Sequence, residues 1–113
     1  MATSKFLAKA VETARAGHGK FKHGAILVKN GEIISEGHNQ MRGQASITAT
    51  AHSWRASFLH AEEVALKNAG TAANGAVLYV ARVGRSGDIR NSKPCVRCAS
   101  KIARAGVRRV VFT

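Results

Sequence analysis

Helical and extended segments alternate along this chain of 113 residues, and no other feature of the sequence restricts its fold as much. Apolar residues recur at helical spacing in three segments, each followed by a glycine that can end a helix. These segments are 4–16, 60–69 and 94–105. The third opens on Pro94, because the missing N–H of proline costs least at the first position of a helix.

A β-hairpin is expected over 24–36. The short runs 25–28 and 32–35 flank Asn30-Gly31, a dipeptide that favours the tight turn of a two-residue hairpin. Two further apolar runs, each downstream of a predicted helix, indicate buried strands. They are 76–82 and 107–112.

The predicted order α-β-β-α-β-α-β indicates one α/β domain over 1–113. Its two strand–helix–strand crossings imply parallel pairing on one side of the sheet, with the hairpin antiparallel on the other. The segment 37–59 is too long for an ordinary connection. It predicts either a functional loop or a short helix capped by Ser53 or Ser57, whereas 85–93 predicts a simple loop.

The chain is strongly basic, since 18 Lys and Arg residues against 6 Asp and Glu residues give a formal charge of +12. Such a charge attracts phosphate, whether on a nucleotide or on a polymer, although it also serves simply as a solubilising surface. No apolar run approaches the roughly 20 residues of a membrane helix, and no signal-peptide block is present. We therefore expect a soluble, cytoplasmic protein with no membrane partner.

The two cysteines, Cys95 and Cys98, are too close in sequence to staple a fold, so they indicate metal binding or redox chemistry. They lie at the start of one predicted helix, and His60 lies at the start of another. The two crossings bring both helix starts to the same edge of the sheet. Two thiolates and one imidazole are three zinc ligands with a fourth position left for water, which is typical of a catalytic site.

Other interpretations of these residues exist. A thioredoxin-like redox pair would leave His60 and Glu62 without a role. A structural zinc site would need a fourth protein ligand, for which the candidates are His23, His38 and His52. Glu62, two residues after His60, can instead lie beside a zinc-activated water and carry protons. It or Glu63 could also be only a carboxylate that the helix dipole favours.

The segments His60-Ala61-Glu62 and Pro94-Cys95-Val96-Arg97-Cys98 resemble the H-x-E…P-C-x-x-C signature of the cytidine/deoxycytidylate deaminase superfamily of zinc enzymes. The resemblance extends to 23–39, which is similar to the family's first hairpin, and to 102–112, which is similar to its third helix and fourth strand. It therefore covers nearly the whole chain, with the motifs in the expected order.

This resemblance implies a cytidine-deaminase-like fold, a three-layer α-β-α sandwich with a mixed sheet and helices on both faces. The chain stops after the fourth strand, so we expect the usual last helix and fifth strand to be lacking. The segment 41–59 is longer than in compact relatives.

The resemblance also implies the roles of individual residues. The implied ligands of a Zn²⁺ cofactor are His60, Cys95 and Cys98. Glu62, rather than Glu63, is the implied catalytic general acid and base. The implied substrate-binding residues are Asn39, Ala61 and Pro94. For Asn39 the alternative is an ordinary loop residue, since turns favour asparagine.

The implied reaction is hydrolytic deamination of a cytosine base to uracil, with release of ammonia, in a free nucleoside or nucleotide such as deoxycytidylate. Three basic residues before the cysteines suit a substrate phosphate; they are Arg85, Arg90 and Lys93. The alternative is a cytosine or adenine deaminase that acts on single-stranded DNA or RNA. A third hypothesis, a catalytically silent nucleic-acid-binding or toxin-immunity module, has no use for Glu62.

Three further expectations concern surfaces. Arg97, Lys101 and Arg104 share one face of the third predicted helix, either as a solvated face or as a phosphate-binding stripe. Trp54 and Phe58 are core residues or, for Trp54, a platform that stacks on a base. An exposed sheet edge after the last strand favours a homo-oligomer.

Overall fold

The structure, a computed structural model, describes residues 2–17, 22–41 and 58–113. Its helices are α1 (Ala2–Ala14), α2 (Ala61–Ala69) and α3 (Val96–Arg104), and a 3₁₀ turn, Gly70–Ala73, follows α2. Its strands are β1 (Lys22–Lys29), β2 (Glu32–His38), β3 (Gln40–Met41), β4 (Phe58–Leu59), β5 (Val77–Val83), β6 (Ile89–Arg90) and β7 (Arg109–Phe112). No helix in these ranges is long and apolar enough to cross a bilayer.

The predicted hairpin is confirmed and is longer than expected, because β1 and β2 pair antiparallel from the turn as far as Gly24 and His38. The turn residues Asn30 and Gly31 have φ values of 53° and 77°. Positive φ at both central positions is what a type I′ turn requires, and its twist matches that of the flanking strands.

The main sheet has the order β2-β1-β5-β6, and β7 also pairs with β5. The crossing through α3 produces the expected parallel pair, β5 with β7. The crossing through α2 does not, because β1 lies between β2 and β5 and pairs antiparallel with both. The strands β2 and β5 therefore run in the same direction without touching, so α2 and α3 still begin at the same edge of the sheet.

Each face of the sheet carries its own core, which confirms the three-layer α-β-α sandwich. On one face, Leu27 and Leu78 pack with Ala65 of α2 and Ile102 of α3. On the other face, strand residues pack against α1; the largest of them are Ile26, Val28, Tyr79 and Val83. Alanines at the contacts let the helices lie close to the strands.

Two glycines on the hairpin strands are required by these close approaches. A Cβ at Gly24 would collide with the backbone of Ala14 in α1. A Cβ at Gly37 would lie 2.7 Å from the backbone nitrogen of Ala65 in α2. The two helices therefore fix β1 and β2 from opposite faces of the sheet.

The structure corrects two predicted boundaries. Pro94 does not open α3, since Cys95 is its N-cap with an extended backbone (φ −71°, ψ 169°) and the helix begins at Val96. The segment 85–93 is not a simple loop, because β6 pairs with the end of β5. A strand of two residues is too short to show periodicity, so it cannot be recognised from the sequence.

The segment 37–59 contributes the end of β2 and the short antiparallel pair of β3 with β4. A helix capped by Ser53 would fall on residues outside those described, as do the predictions for Trp54 and for the side chain of Phe58. The prediction of a helix capped by Ser57 is wrong, because Phe58–Leu59 form β4. The predicted last strand, 107–112, is observed as β7 over Arg109–Phe112.

Candidate active site

The starts of α2 and α3 bring together the three predicted metal ligands. His60 is the N-cap of α2 and Cys95 is the N-cap of α3, while Cys98 lies in the first turn of α3. Nδ1 of His60 lies 3.8 Å from Sγ of Cys95 and 3.2 Å from Sγ of Cys98. The three donor atoms all lie within 4.8 Å of one another.

These distances fit a zinc ion. Zn–N bonds of about 2.0 Å and Zn–S bonds of about 2.3 Å in a tetrahedron place the nitrogen and sulfur atoms about 3.5 Å apart. The two distances measured from His60 lie on either side of that value. Three protein donors leave the fourth tetrahedral position to a water or a substrate. His60, Cys95 and Cys98 are therefore placed to hold a zinc ion with an open position.

The protonation of the donors also suits a cation. Burial lowers the pKa of His60, with the nearby charge of Arg97 adding to the effect, so its imidazole is neutral at pH 7. Burial raises the pKa of the Cys98 thiol, and the charge of Glu62 raises it further. A buried thiolate beside a carboxylate needs a positive charge to be stable, which a zinc ion supplies.

Glu62 lies next to this cluster without being part of it. Its side chain is 4% exposed and lines the same cavity as His60 and Cys95. Burial raises its pKa, and the neighbouring Glu63 carboxylate adds to this against the opposing effect of a backbone hydrogen bond. A carboxylate with a raised pKa is a stronger base than an exposed glutamate, which suits it to take a proton from a water.

The cavity above the cluster has a volume of about 140 Å³. It is lined by His23, Asn39, His60, Glu62, Ser92, Lys93 and Cys95. This is well below the roughly 300–1,000 Å³ of pockets that enclose whole ligands. The cavity therefore suits a single ring rather than an entire nucleotide.

Asn39 is 1% exposed and is fixed in the cavity wall. Its Oδ1 accepts a hydrogen bond of 2.8 Å from the backbone N–H of His23, and its own N–H donates to the carbonyl of His23 over 3.2 Å. These bonds join the end of β2 to the start of β1. Asn39 therefore lies at the site where the sequence predicts a substrate-contacting amide.

Two of the predicted substrate-binding residues are not among the side chains that line the cavity. Ala61, the first residue of α2, is fully buried in the core, and Pro94 is half-buried just before the Cys95 cap. Only their backbones adjoin the lining residues His60, Glu62 and Cys95. Their contact with substrate stays a prediction.

Two lining residues, His23 and Ser92, were not predicted as parts of the substrate cavity. The sequence suggests His23 only as a fourth ligand of a structural zinc site, but neither it nor His38 joins the metal cluster, and His52 lies outside the described residues. Ser92 donates its hydroxyl to the carbonyl of Val80 over 2.8 Å. Nothing in the sequence around either residue points to the cavity, because the strand pairing brings them there.

The three basic residues before the cysteines occupy different positions relative to the cavity. Arg90 forms an ion pair with Asp88 at the β5–β6 turn. Arg85 is exposed and does not line the cavity, whereas Lys93 is exposed and lines it. Of the three residues predicted to meet a substrate phosphate, Lys93 is therefore the one at the mouth.

The stripe on α3 is partly neutralised by Glu63. Nη2 of Arg97 lies 2.7 Å from Oε1 of Glu63, and Lys101 forms an ion pair with Oε2 of the same carboxylate. These bonds, together with a backbone hydrogen bond from His60, outweigh the effect of burial and lower the pKa of Glu63 to about 2. Two of the three stripe residues thus serve the contact with α2, which leaves Arg104 exposed.

Sequence comparison places the chain among deaminases. The family described as "Cytidine and deoxycytidylate deaminase zinc-binding region" matches residues 1–113. The chain is 36% identical over 110 residues to the riboflavin biosynthesis protein RibD of Escherichia coli, covering 94% of this chain and 25% of that protein. It is 31% identical over 100 residues to the tRNA-specific adenosine deaminase of Aquifex aeolicus, covering 84% of this chain and 53% of that protein. It thus spans about a quarter and about half of these relatives.

Solved structures agree with the sequence matches. The dCMP deaminase of cyanophage S-TIM5 in its apo form has a TM-score of 0.72 and 26% identity, covering 97% of this chain and 80% of that one. RibD of Acinetobacter baumannii has a TM-score of 0.69 and 27% identity, covering 99% of this chain and 28% of that one.

The matching family is described by a zinc-binding region, and this chain places three possible zinc donors at two helix starts. The sequence, the fold and the metal donors of this chain therefore agree with one another. The chain belongs to the cytidine and deoxycytidylate deaminase family.

Proposed function

We propose that this protein hydrolyses the exocyclic amine of a cytosine base in a free nucleoside or nucleotide such as deoxycytidylate. The observation that carries the proposal is the cavity of about 140 Å³, which has Glu62 and the metal donors His60 and Cys95 in its wall and Lys93 at its mouth. A pyrimidine ring fits such a space, while the sugar and phosphate extend outwards to the ammonium group of Lys93. The likeness to a phage dCMP deaminase, also solved with dCMP and dUMP, supports the same substrate class.

In this proposal His60, Cys95 and Cys98 hold the zinc ion. When bound in such a site, zinc supplies a water whose pKa is lowered to about 7, and hence a hydroxide nucleophile at neutral pH.

Glu62 moves the protons of the reaction. Its carboxylate takes one proton from the attacking water and delivers it to ring nitrogen N3 as the new C4–O bond forms. It then transfers the second proton to the amino group as the C4–N bond breaks. Water and cytosine thus give uracil, which keeps one water proton on N3, and ammonia, which leaves with the other. Because Glu62 is buried, bulk solvent does not compete for these protons.

Asn39 orients the substrate. Its Oδ1 is engaged by the His23 N–H, so the amide is held in one direction in the cavity wall. From there it hydrogen-bonds the sugar or the base. The backbone around Ala61 and Pro94 closes the ring site beside the ligands.

A second candidate is deamination of a cytosine or adenine within single-stranded nucleic acid. The formal charge of +12 and the similarity to a tRNA-specific adenosine deaminase favour it. A cavity that takes only a base would accept one extruded from a strand. Among the described residues no Phe, Tyr or Trp lines the cavity, and such stacking platforms are the usual aid to single-strand binding.

An ammonia-release panel tests the proposal. It would compare cytidine, deoxycytidine, their monophosphates, short single-stranded DNA and RNA, and the adenine counterparts, with Glu62→Ala protein as the blank. The proposal requires the highest kcat/KM with a free cytosine nucleoside or nucleotide. A clear preference for a strand or for adenine would replace it with the second candidate, and no release from any substrate would refute both.

A further inference from the structure

The contact between the starts of α2 and α3 contains an ionic bridge that the proposed reaction does not use. Glu63 is three residues after His60, and Arg97 lies between Cys95 and Cys98 in sequence. The bridge therefore joins neighbours of the proposed ligands on both helices.

Both carboxylate oxygens of Glu63 are engaged at this junction. Oε1 accepts a hydrogen bond of 3.1 Å from the backbone N–H of His60 and lies 2.7 Å from Nη2 of Arg97. Oε2 pairs with Lys101, one helical turn after Arg97. The Glu63 side chain is 9% exposed, so its charge is shielded from solvent more than that of an ordinary surface ion pair.

The helix α3 buries few of its side chains against the rest of the domain. Of its nine residues, only Cys98 and Ile102 are buried, and Val96 is 88% exposed. Two buried side chains provide a small apolar contact for a helix that carries two of the three proposed ligands. The position of its first turn relative to His60 therefore depends on polar bonds to α2.

We infer that Glu63 is a positioning residue that holds the starts of α2 and α3 at the spacing zinc requires, and so controls how tightly the metal is retained. Its carboxylate fixes the backbone of His60 on one side and the turn that carries Cys95 and Cys98 on the other. The inference rests on the ligand set in the proposed function. Groups that orient metal ligands from outside the coordination shell typically change metal affinity by roughly 10- to 100-fold when they are lost.

The experiment measures zinc release from intact protein into a chromogenic chelator, together with the visible spectrum of the cobalt-substituted form. The test variant is Glu63→Gln, which keeps the size of the side chain. Glu32→Gln is the matched control, since it removes the same charge from an exposed residue at the hairpin turn. We expect Glu63→Gln to release zinc roughly 10-fold faster or more and to alter the cobalt spectrum, and Glu32→Gln to match wild type.

A second variant separates the bridge from the helix cap. Arg97→Gln/Lys101→Gln leaves the Glu63–His60 hydrogen bond in place and removes only the bonds between helices. Faster zinc release from this double variant is expected, and release at the wild-type rate would overturn the inference. The melting temperatures of the metal-free proteins serve to confirm that each variant is folded at the assay temperature.

The remaining outcomes distinguish the two proposals. Wild-type protein that holds zinc, loses it in Cys98→Ser, but releases it equally in Glu63→Gln and Glu32→Gln would overturn the bridge alone. Wild-type protein without zinc, or Cys98→Ser with undiminished zinc, would overturn the ligand set and the inference with it.

Discussion

The side-chain oxygen of Asn39 accepts the backbone N–H of His23 over 2.8 Å, which joins the two strand ends that border the cavity. Asn39→Ala should therefore lower both stability and activity. The substitution removes the acceptor of the part-buried His23 N–H, and a donor left without its partner costs up to about 1–3 kcal/mol. Urea unfolding and kcat/KM measure the two effects. An Asn39→Ala protein of wild-type stability would show that the bond does not hold the strand ends together.

Glu62→Gln should retain zinc and fold while losing deamination. Glutamine keeps the side-chain volume in the buried position but cannot carry the proton from water to the base. General acid and base groups contribute roughly 10²–10⁴-fold, so kcat should fall within that range. The comparison needs metal analysis of the same samples, since equal zinc content excludes loss of the ion. Turnover above about a hundredth of wild type would argue against Glu62 as the proton carrier.

His23 should make stability depend on pH in a definite direction. Burial lowers its pKa, and the charges of Arg82 and His60 lower it further. The unfolded chain, with a histidine pKa of about 6.5, then binds the proton more readily than the native state. Stability is therefore complete above that pH and is lost progressively as the pH falls from there to the native pKa.

The measurement is the melting temperature of metal-free protein at about pH 7.5 and about pH 5.5, on either side of the unfolded histidine pKa. The melting temperature of His23→Gln should fall less between these two pH values than that of the wild type. Some pH dependence of the melting temperature should remain in His23→Gln, because the pKa of His60 is also lowered in the folded protein. Identical pH dependence in the two proteins would contradict the assigned direction for His23.

Salt should distinguish the two substrate classes. When a single-stranded nucleic acid binds through Z phosphates, the logarithm of its affinity falls with the logarithm of the salt concentration at a slope of about −0.7Z. In the proposed function a mononucleotide presents only one phosphate, to Lys93. We expect kcat/KM for deoxycytidylate to fall with a shallow slope, and Lys93→Gln to make it shallower still. A single strand deaminated at far higher kcat/KM with a slope of several units would favour the nucleic-acid substrate instead.

The sequence identified the elements that carry long periodic patterns or a specific turn. The Asn30-Gly31 hairpin, the three helices and the last two long strands were predicted close to their observed bounds. It did not reveal β6, whose two residues are defined only by pairing with β5. Nor did it reveal that β1 separates β2 from β5, since strand order depends on pairings that are distant along the chain.

The candidate site divides in the same way. The metal donors were predictable because each lies in a short motif at a helix start, and the fold brings the motifs together. The bridge from Glu63 to α3 was not, because a charged residue on a helix has the same local pattern whether it faces solvent or another helix. The single domain over 1–113 and the homo-oligomer stay predictions.

The cavity draws its parts from two separate sources. The proposed chemistry lies on the first turns of α2 and α3, whereas His23 and Lys93 belong to a strand start and a connection that carry no proposed ligand. Substitutions at those two positions can reshape the opening without moving a metal donor. In the proposed function, the choice of base could therefore change by substitution at the opening while Glu62 and the metal donors stay as they are.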